Sequence, residues 1–336
     1  MSLPKQSVRE ADLVSLSAYL HALEAKMLTG EKLARMIDAP RFDEAARMAA
    51  ECGYPDVSAL DVFGIERALS AHRLAVYDDL ARTEAAVPIL DMFRVKYDYH
   101  NVKTLVKSMG ANEDATRILS ECGRVPSRLL TEAFISGERS DIPQDLRDAF
   151  HDGVSILSRT SNPQLSDISA DRLYFAETLR LAEDTGNAAL IAYARLLIDA
   201  ANLRTFVRAK RTARPDGFLS GAIFDGGNAK AADILALSPA GENAASVFTV
   251  SALAPAAALA AETIAGKTQT AFERALDNAV YAAGSDTRYV PFGAETVLSY
   301  LLALDWEITS IRTALTGKLA GIAPELLRER VREGNV

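Results

Sequence analysis

A chain of 336 residues, 49% of them apolar, has the material for two or three ordinary domains with proper cores. Its net charge of −8 excludes a general nucleic-acid binder, because neutralising phosphates needs a basic footprint. Two cysteines, Cys52 and Cys122, sit in similar Glu-Cys-Gly settings and supply neither a disulfide framework nor a metal cluster. With an opening Met-Ser-Leu-Pro-Lys-Gln-Ser that lacks a secretory apolar core, a cytoplasmic protein with reduced thiols is expected.

In chain order the pattern is helical throughout. Ser7-Val8-Arg9-Glu10 has the form of a capping box, and Leu13, Leu16, Leu20, Leu23 and Met27 follow at helical spacing. Short helices are expected from Thr29 to before Pro40 and from Asp43 to Cys52, the latter capped by Gly53. A longer helix from Ile65 carries Leu69, His72, Val76 and Leu80, and Pro88 opens or kinks a helix that ends near Gly110. Val125 to Leu130 restarts a unit in the shape of Leu28 to Leu33. Asp171 to Leu181 and Ala188 to Arg211 are helical, with Gly186-Asn187 between them, and Gly217 to Gly227 is expected to be a loop before the short helix Asn228 to Leu235. The uncharged run from Glu242 to Glu262 is mostly Ala and too poor in Leu and Ile to span a membrane; it predicts an Ala-rich helix pair broken near Pro255. The last long helix follows Tyr289-Val290-Pro291-Phe292-Gly293 and stops near Gly317. Pro324 to Arg328 then resembles the start of a fourth unit, placed to pack against the first and close a ring.

One motif occurs three times: Asp98-Tyr99-His100-Asn101-Val102-Lys103-Thr104, Asp199-Ala200-Ala201-Asn202-Leu203-Arg204-Thr205 and Glu307-Ile308-Thr309-Ser310-Ile311-Arg312-Thr313. From Asn101 to Asn202 is 101 residues and from Asn202 to Ser310 is 108, so each copy marks a small domain rather than a solenoid turn. The expectation is an all-α protein of three similar helical domains, 1–122, 123–222 and 223–336, about a pseudo-threefold axis. On a helix the acid and the amide three residues on share a face, while the base (Lys103, Arg204, Arg312) points away. A polar pair on an inner face is expected to hydrogen-bond a neighbouring helix or loop. Repetition favours such a structural buckle over a catalytic acid.

Catalytic and ligand chemistry is not encoded. His21, His72, His100 and His151 are scattered without metal-ligand spacing, and neither phosphate-loop pattern occurs. No catalytic residue, metal or cofactor is expected. A hydrolase using the Asp98/His100 region is the weakest alternative, and a generic helical scaffold or adaptor a stronger one. The most basic stretch of this acidic chain runs Arg204, Arg208, Lys210, Arg211, Arg214; a solvated helix end accounts for some of it, and Arg208, Lys210, Arg211 and Arg214 are candidates for docking an acidic protein surface.

The residues Asp91 to Leu105, Leu197 to Thr205, and Val290-Pro291-Phe292-Gly293 with Tyr300 and Gly317-Lys318-Leu319 resemble the central-stalk C-type component of prokaryotic V-type (A/V-type) ATPases, whose eukaryotic counterpart is the d-type component. The third motif is looser, with Asp305-Trp306-Glu307 and Ser310 where the family more often has an acidic pair and Asn. The resemblance implies a funnel of three helical domains whose wide mouth receives the rotor shaft subunits and whose other face sits on the membrane proteolipid ring. It implies a non-catalytic rotor part at the cytoplasmic face of the membrane, transmitting torque for ATP-coupled ion transport.

Overall fold

The structure is a computed structural model that describes residues 8–111, 115–137, 141–249, 251–267, 269–284 and 290–332. Among these the regular elements are all helical. They are α1 (Val14–Glu24), α2 (Gly30–Asp38), α3 (Phe42–Glu51), α4 (Val62–Leu80), α5 (Val87–Ala111), α6 (Ser127–Ser136), α7 (Gln144–Thr160), α8 (Pro163–Thr185) and α9 (Ala188–Arg211). There follow α10 (Asp216–Ala222), α11 (Ala231–Leu235), α12 (Ala244–Val247), α13 (Ala254–Ala258), α14 (Ala260–Ile264), α15 (Gln269–Ala282), α16 (Ala294–Leu319) and α17 (Pro324–Arg330).

Local chemistry sets many of these boundaries. The Thr29 hydroxyl accepts from Lys32 N at the start of α2, Asp61 accepts from Gly64 N at the start of α4, and Asn187 accepts from both Ala189 N and Leu190 N at the start of α9. Gly137 and Gly186 end α6 and α8 in the left-handed conformation. Ser7 of the expected capping box lies outside the described residues, and α1 is instead entered through a 3-10 turn, Glu10–Leu13. Two expectations are corrected. Residues 217–227 are not all loop: α10 occupies the first part, despite the poor helix propensity of Gly217 and Gly221, because Pro215 presets the entry and Leu219 and Ala222 are buried. The Ala-rich run is three short helices rather than a pair, with Pro255 in the first turn of α13. No helix among the described residues is long and apolar enough to cross a membrane.

The motif helices α5, α9 and α16 run parallel. Phe93 stacks on Tyr193 with ring centroids 5.5 Å apart, both in the second turn of their helices, and Asn187 beside α9 donates to Glu295 in the first turn of α16 at 2.8 Å. Each motif helix has an antiparallel companion, as the paired charges show. Lys103 and Lys107 meet Asp171 and Asp167 of α8, Arg204 meets Glu273 and Asp277 of α15, and Arg312 meets Glu66 of α4. The motif bases point away from the inner face as expected, but to an acid and not to solvent; each ties its helix to the companion that leads into the next motif helix. Packing runs from α5 to α8, α9, α15, α16 and α4, and α4 returns to α5.

The first turns of the three motif helices share one core, through Ile89, Leu90 and Phe93, Leu190 and Ala194, and Val297 and Leu298. Their later turns part. Val102 and Val106 of α5 enter a core with α6, α7 and α8, while Leu203 and Phe206 of α9 enter another with α10 to α15. The later turns of α16, including Ile308 and Ile311, stay with the N-terminal helices.

Candidate functional site

Each motif grips the turn that leads into a short helix. On α5 the Asn101 side chain exchanges two hydrogen bonds with the backbone of Ser120, donating to its O and accepting from its N, both at 2.8 Å. One turn earlier Asp98 accepts from Val125 N at 3.1 Å and from the Arg124 guanidinium at 2.7 Å. On α9, Asn202 exchanges the same two bonds with Phe224, at 2.8 Å each, and Asp199 accepts from Ala229 N, Asn228 N and the Asn228 amide. All four side chains are fully buried. Burial pushes both Asp carboxyls up from the ordinary range, opposed by these donors; Arg124, between Asp98 and Glu177, is held firmly charged.

The turns are shaped for this grip. A Cβ on Gly123 would stand 2.4 Å from Asp98 Oδ1, and one on Gly227 2.1 Å from Asp199 Oδ1. Neither carboxylate can swing aside without breaking its bonds to the turn. Gly123→Ala or Gly227→Ala should therefore cost about 1 to 3 kcal/mol in urea unfolding, as overpacking of a fixed group does. Gly217→Ala, with open space around its Cβ position, is the control expected to cost nothing.

The third motif closes on the other end of the chain. Glu307 of α16 accepts from Leu28 N, in the turn before α2, at 3.0 Å. Lys26 stands where the other turns have glycine, and Glu307 is one methylene longer than Asp98 and Asp199. Ser310, in the place of Asn101 and Asn202, is buried with its Oγ unpartnered. Beyond it α17 lies against α2, through an ion pair of Arg328 with Asp38, and Lys318 donates to Ala39 O at 2.5 Å.

Where the motif helices diverge they leave a cavity of about 240 Å³, lined among others by Lys96, Tyr174, Tyr193, Arg204, Tyr281 and Asp305. Lys96 and Asp305 stand five residues before Asn101 and Ser310, so they occupy one register on α5 and α16; Leu197 has that register on α9 and also lines the cavity. Asp305 accepts from Lys96 at 2.7 Å and from Arg73 of α4 at 2.8 Å. Burial alone would push its carboxyl up, but the two cations outweigh burial and hold it below the usual range. Tyr97 lies under both, its ring centroid 5.0 Å from Lys96 Nζ and 5.6 Å from the Arg73 guanidinium. Motif spacing did not single out Arg73, Lys96 or Asp305. Opposite charges at one register of two copies were the available signal.

Asp98 and His100 do not form a catalytic pair. Asp98 is turned inward to Arg124, whereas His100 is exposed and hydrogen-bonds Ile118 O at 3.2 Å. Among the described residues there is no cluster of His, Cys, Asp and Glu that could hold a metal ion. A family model described as ATP synthase (C/AC39) subunit matches residues 16–330. The chain belongs to that family. It is a structural subunit, not a catalytic one. The C-type component of the A-type ATP synthase of Methanocaldococcus jannaschii is 23% identical, over 97% of this chain and 88% of its own length. Its counterpart in the V-type sodium ATPase of Enterococcus hirae is 22% identical, over 95% of this chain and 97% of its own, and that in the A-type ATP synthase of Thermococcus onnurineus 23%, over 94% and 88%.

The basic stretch sits at the C-terminal end of α9. Arg208 is committed to Glu273, which it shares with Arg204. Arg211 bonds Gln269, and Arg214 lies over the Phe218 ring at 5.7 Å. Both are exposed, and Lys210 is half-buried.

Proposed function

We propose that this subunit is the central-stalk coupling part of an A/V-type rotary ATPase, joining the rotor shaft subunits to the membrane proteolipid ring and transmitting torque for ATP-coupled ion transport. It works as three helical domains, 1–122, 123–222 and 223–336, in a funnel about a pseudo-threefold axis. It sits at the cytoplasmic face of the membrane through its partners and has no part in the chemistry. The observation that supports this most is the divergence of three parallel motif helices from one shared core, the first two clamped to the next turn by buried polar grips. A part that carries torque needs cross-links between its segments that do not shear, and buried hydrogen-bonded pairs supply them. Co-purification with the shaft subunits and with the proteolipid ring tests the reading; a chain that captures neither would be a scaffold of another kind.

The end of α9 contributes to docking in this proposal. Arg211 and Arg214 are the positions to test, because reversing Arg208 would also set a carboxylate against Glu273. Arg211→Glu with Arg214→Glu should leave the fold intact and weaken partner association several-fold, most at low ionic strength, where exposed charges act furthest. In the reconstituted complex, transport per ATP hydrolysed should fall. Equal affinity and equal coupling at matched low salt would return this stretch to a solvated helix end.

A further inference from the structure

We infer that the third grip is a releasable latch: the turn Met27–Thr29 lifts from α16 within the folded protein, while the far end of α2 stays tied by Lys318 and Arg328 and the turns before α6 and α11 stay held. The three grips are built on one plan and satisfied unequally. The first has four hydrogen bonds to its turn, from Asn101 and Asp98, and the second has five, from Asn202 and Asp199. The third has the single bond from Leu28 N to Glu307. A further buried hydroxyl at that place, Ser310 Oγ, has no partner. A polar network left half satisfied is costlier than none, so this contact has the least to lose on opening. It also has no short tether. The first two grips join residues 19 to 30 apart, the third residues 279 apart. Release need not part the whole packing circuit, because Asp305 still holds α4 and α5 to α16.

The carboxyl at the latch gives it a pH response. Burial pushes Glu307 up to about 7, against the pull of Leu28 N, Tyr54 and Lys32. The groups facing it are Lys32 on α2, Cys52 at the end of α3, Tyr54 beyond it and Tyr300 on α16; Lys32 is the cation among them. A carboxyl raised in the closed state favours closure below its ordinary value. That contribution is lost as pH rises through about 7, after which opening levels off. The other two carboxyls have more donors, so their turns respond less.

Hydrogen exchange on the full wild-type chain, corrected for intrinsic rates, reads the opening directly at three equivalent amides. Between pH 5 and pH 7.5 the protection of Leu28 should fall at least ~10-fold, against a several-fold smaller change at Val125 and Ala229. Glu307→Gln keeps an acceptor and removes the charge, so Leu28 should stay as protected at pH 7.5 as wild type is at pH 5. The native cysteines give a readout without mutation, since Cys52 lies beside the latch and Cys122 in the first gripped turn, both buried. The ratio of Cys52 to Cys122 labelling should rise over the same range. The latch is overturned by equal protection of the three amides at every pH, by a pH response that survives Glu307→Gln, or by a flat labelling ratio.

Discussion

Asp305→Asn is expected to destabilise the protein by about 3 to 5 kcal/mol, the range for removing one partner of a buried ion pair. The side chain joins three helices: Arg73 reaches it from α4, Lys96 from α5, and it stands on α16. The loss falls mainly on Arg73, whose side chain is 7% exposed against 33% for Lys96, so Arg73 has no other way to its charge. Lys96 can turn into the cavity. Lys96→Met should for that reason cost less than Asp305→Asn, since the Arg73 bond remains and the half-buried Lys96 leaves only its share of the pair behind. The comparison is of urea midpoints for the two variants and wild type at pH 7. Because the Asp305 carboxyl is held below its ordinary value, its contribution is complete above about pH 4. It is lost as pH falls through the lowered value. The gap between Asp305→Asn and wild type should therefore close in acid and hold from pH 5 to 8. Equal loss in both variants would mean that the cavity charges act only through water.

The helices and the inward face of each motif are legible in the sequence because both depend on periodicity, which reports burial. Spacing of three puts Asp98 with Asn101 and Asp199 with Asn202 on one side of a helix wherever that helix packs. What the side chains hold is a different question. Ser120, Phe224, Ala229 and Val125 offer backbone groups, and a backbone amide leaves no mark on residue type. Gly123 and Gly227 leave one indirectly, since a carboxylate stands where a Cβ would be. The third copy was harder still. Its turn lies at the opposite end of the chain, so reading forward from Ser310 leads to α17 rather than to Leu28. The bases read as outward-facing because each projects from its own helix; their acids on α4, α8 and α15 follow only from how the helices pack. Helix α10 escaped because its glycines speak for a loop, and burial of Leu219 and Ala222 outweighs them.

Asn202→Leu tests the grip itself. The amide is the partner of both Phe224 N and Phe224 O, and the site is buried, so no water replaces it. Each orphaned backbone group costs about 1 to 3 kcal/mol, which puts the variant roughly 2 to 6 kcal/mol below wild type. Asn202→Asp keeps the acceptor for Phe224 N but sets a buried carboxylate with no cation against Phe224 O; it should cost at least as much as Asn202→Leu. Ser310 is the internal control. Its Oγ already lacks a partner, so Ser310→Ala removes a buried unsatisfied hydroxyl and should leave stability within about 1 kcal/mol of wild type or raise it. Equivalent positions of one repeated motif are thus expected to respond unequally. Urea unfolding of the three variants decides it. An Asn202→Leu protein as stable as Ser310→Ala would mean that apolar packing around α9, and not the polar grip, fixes the turn at Phe224.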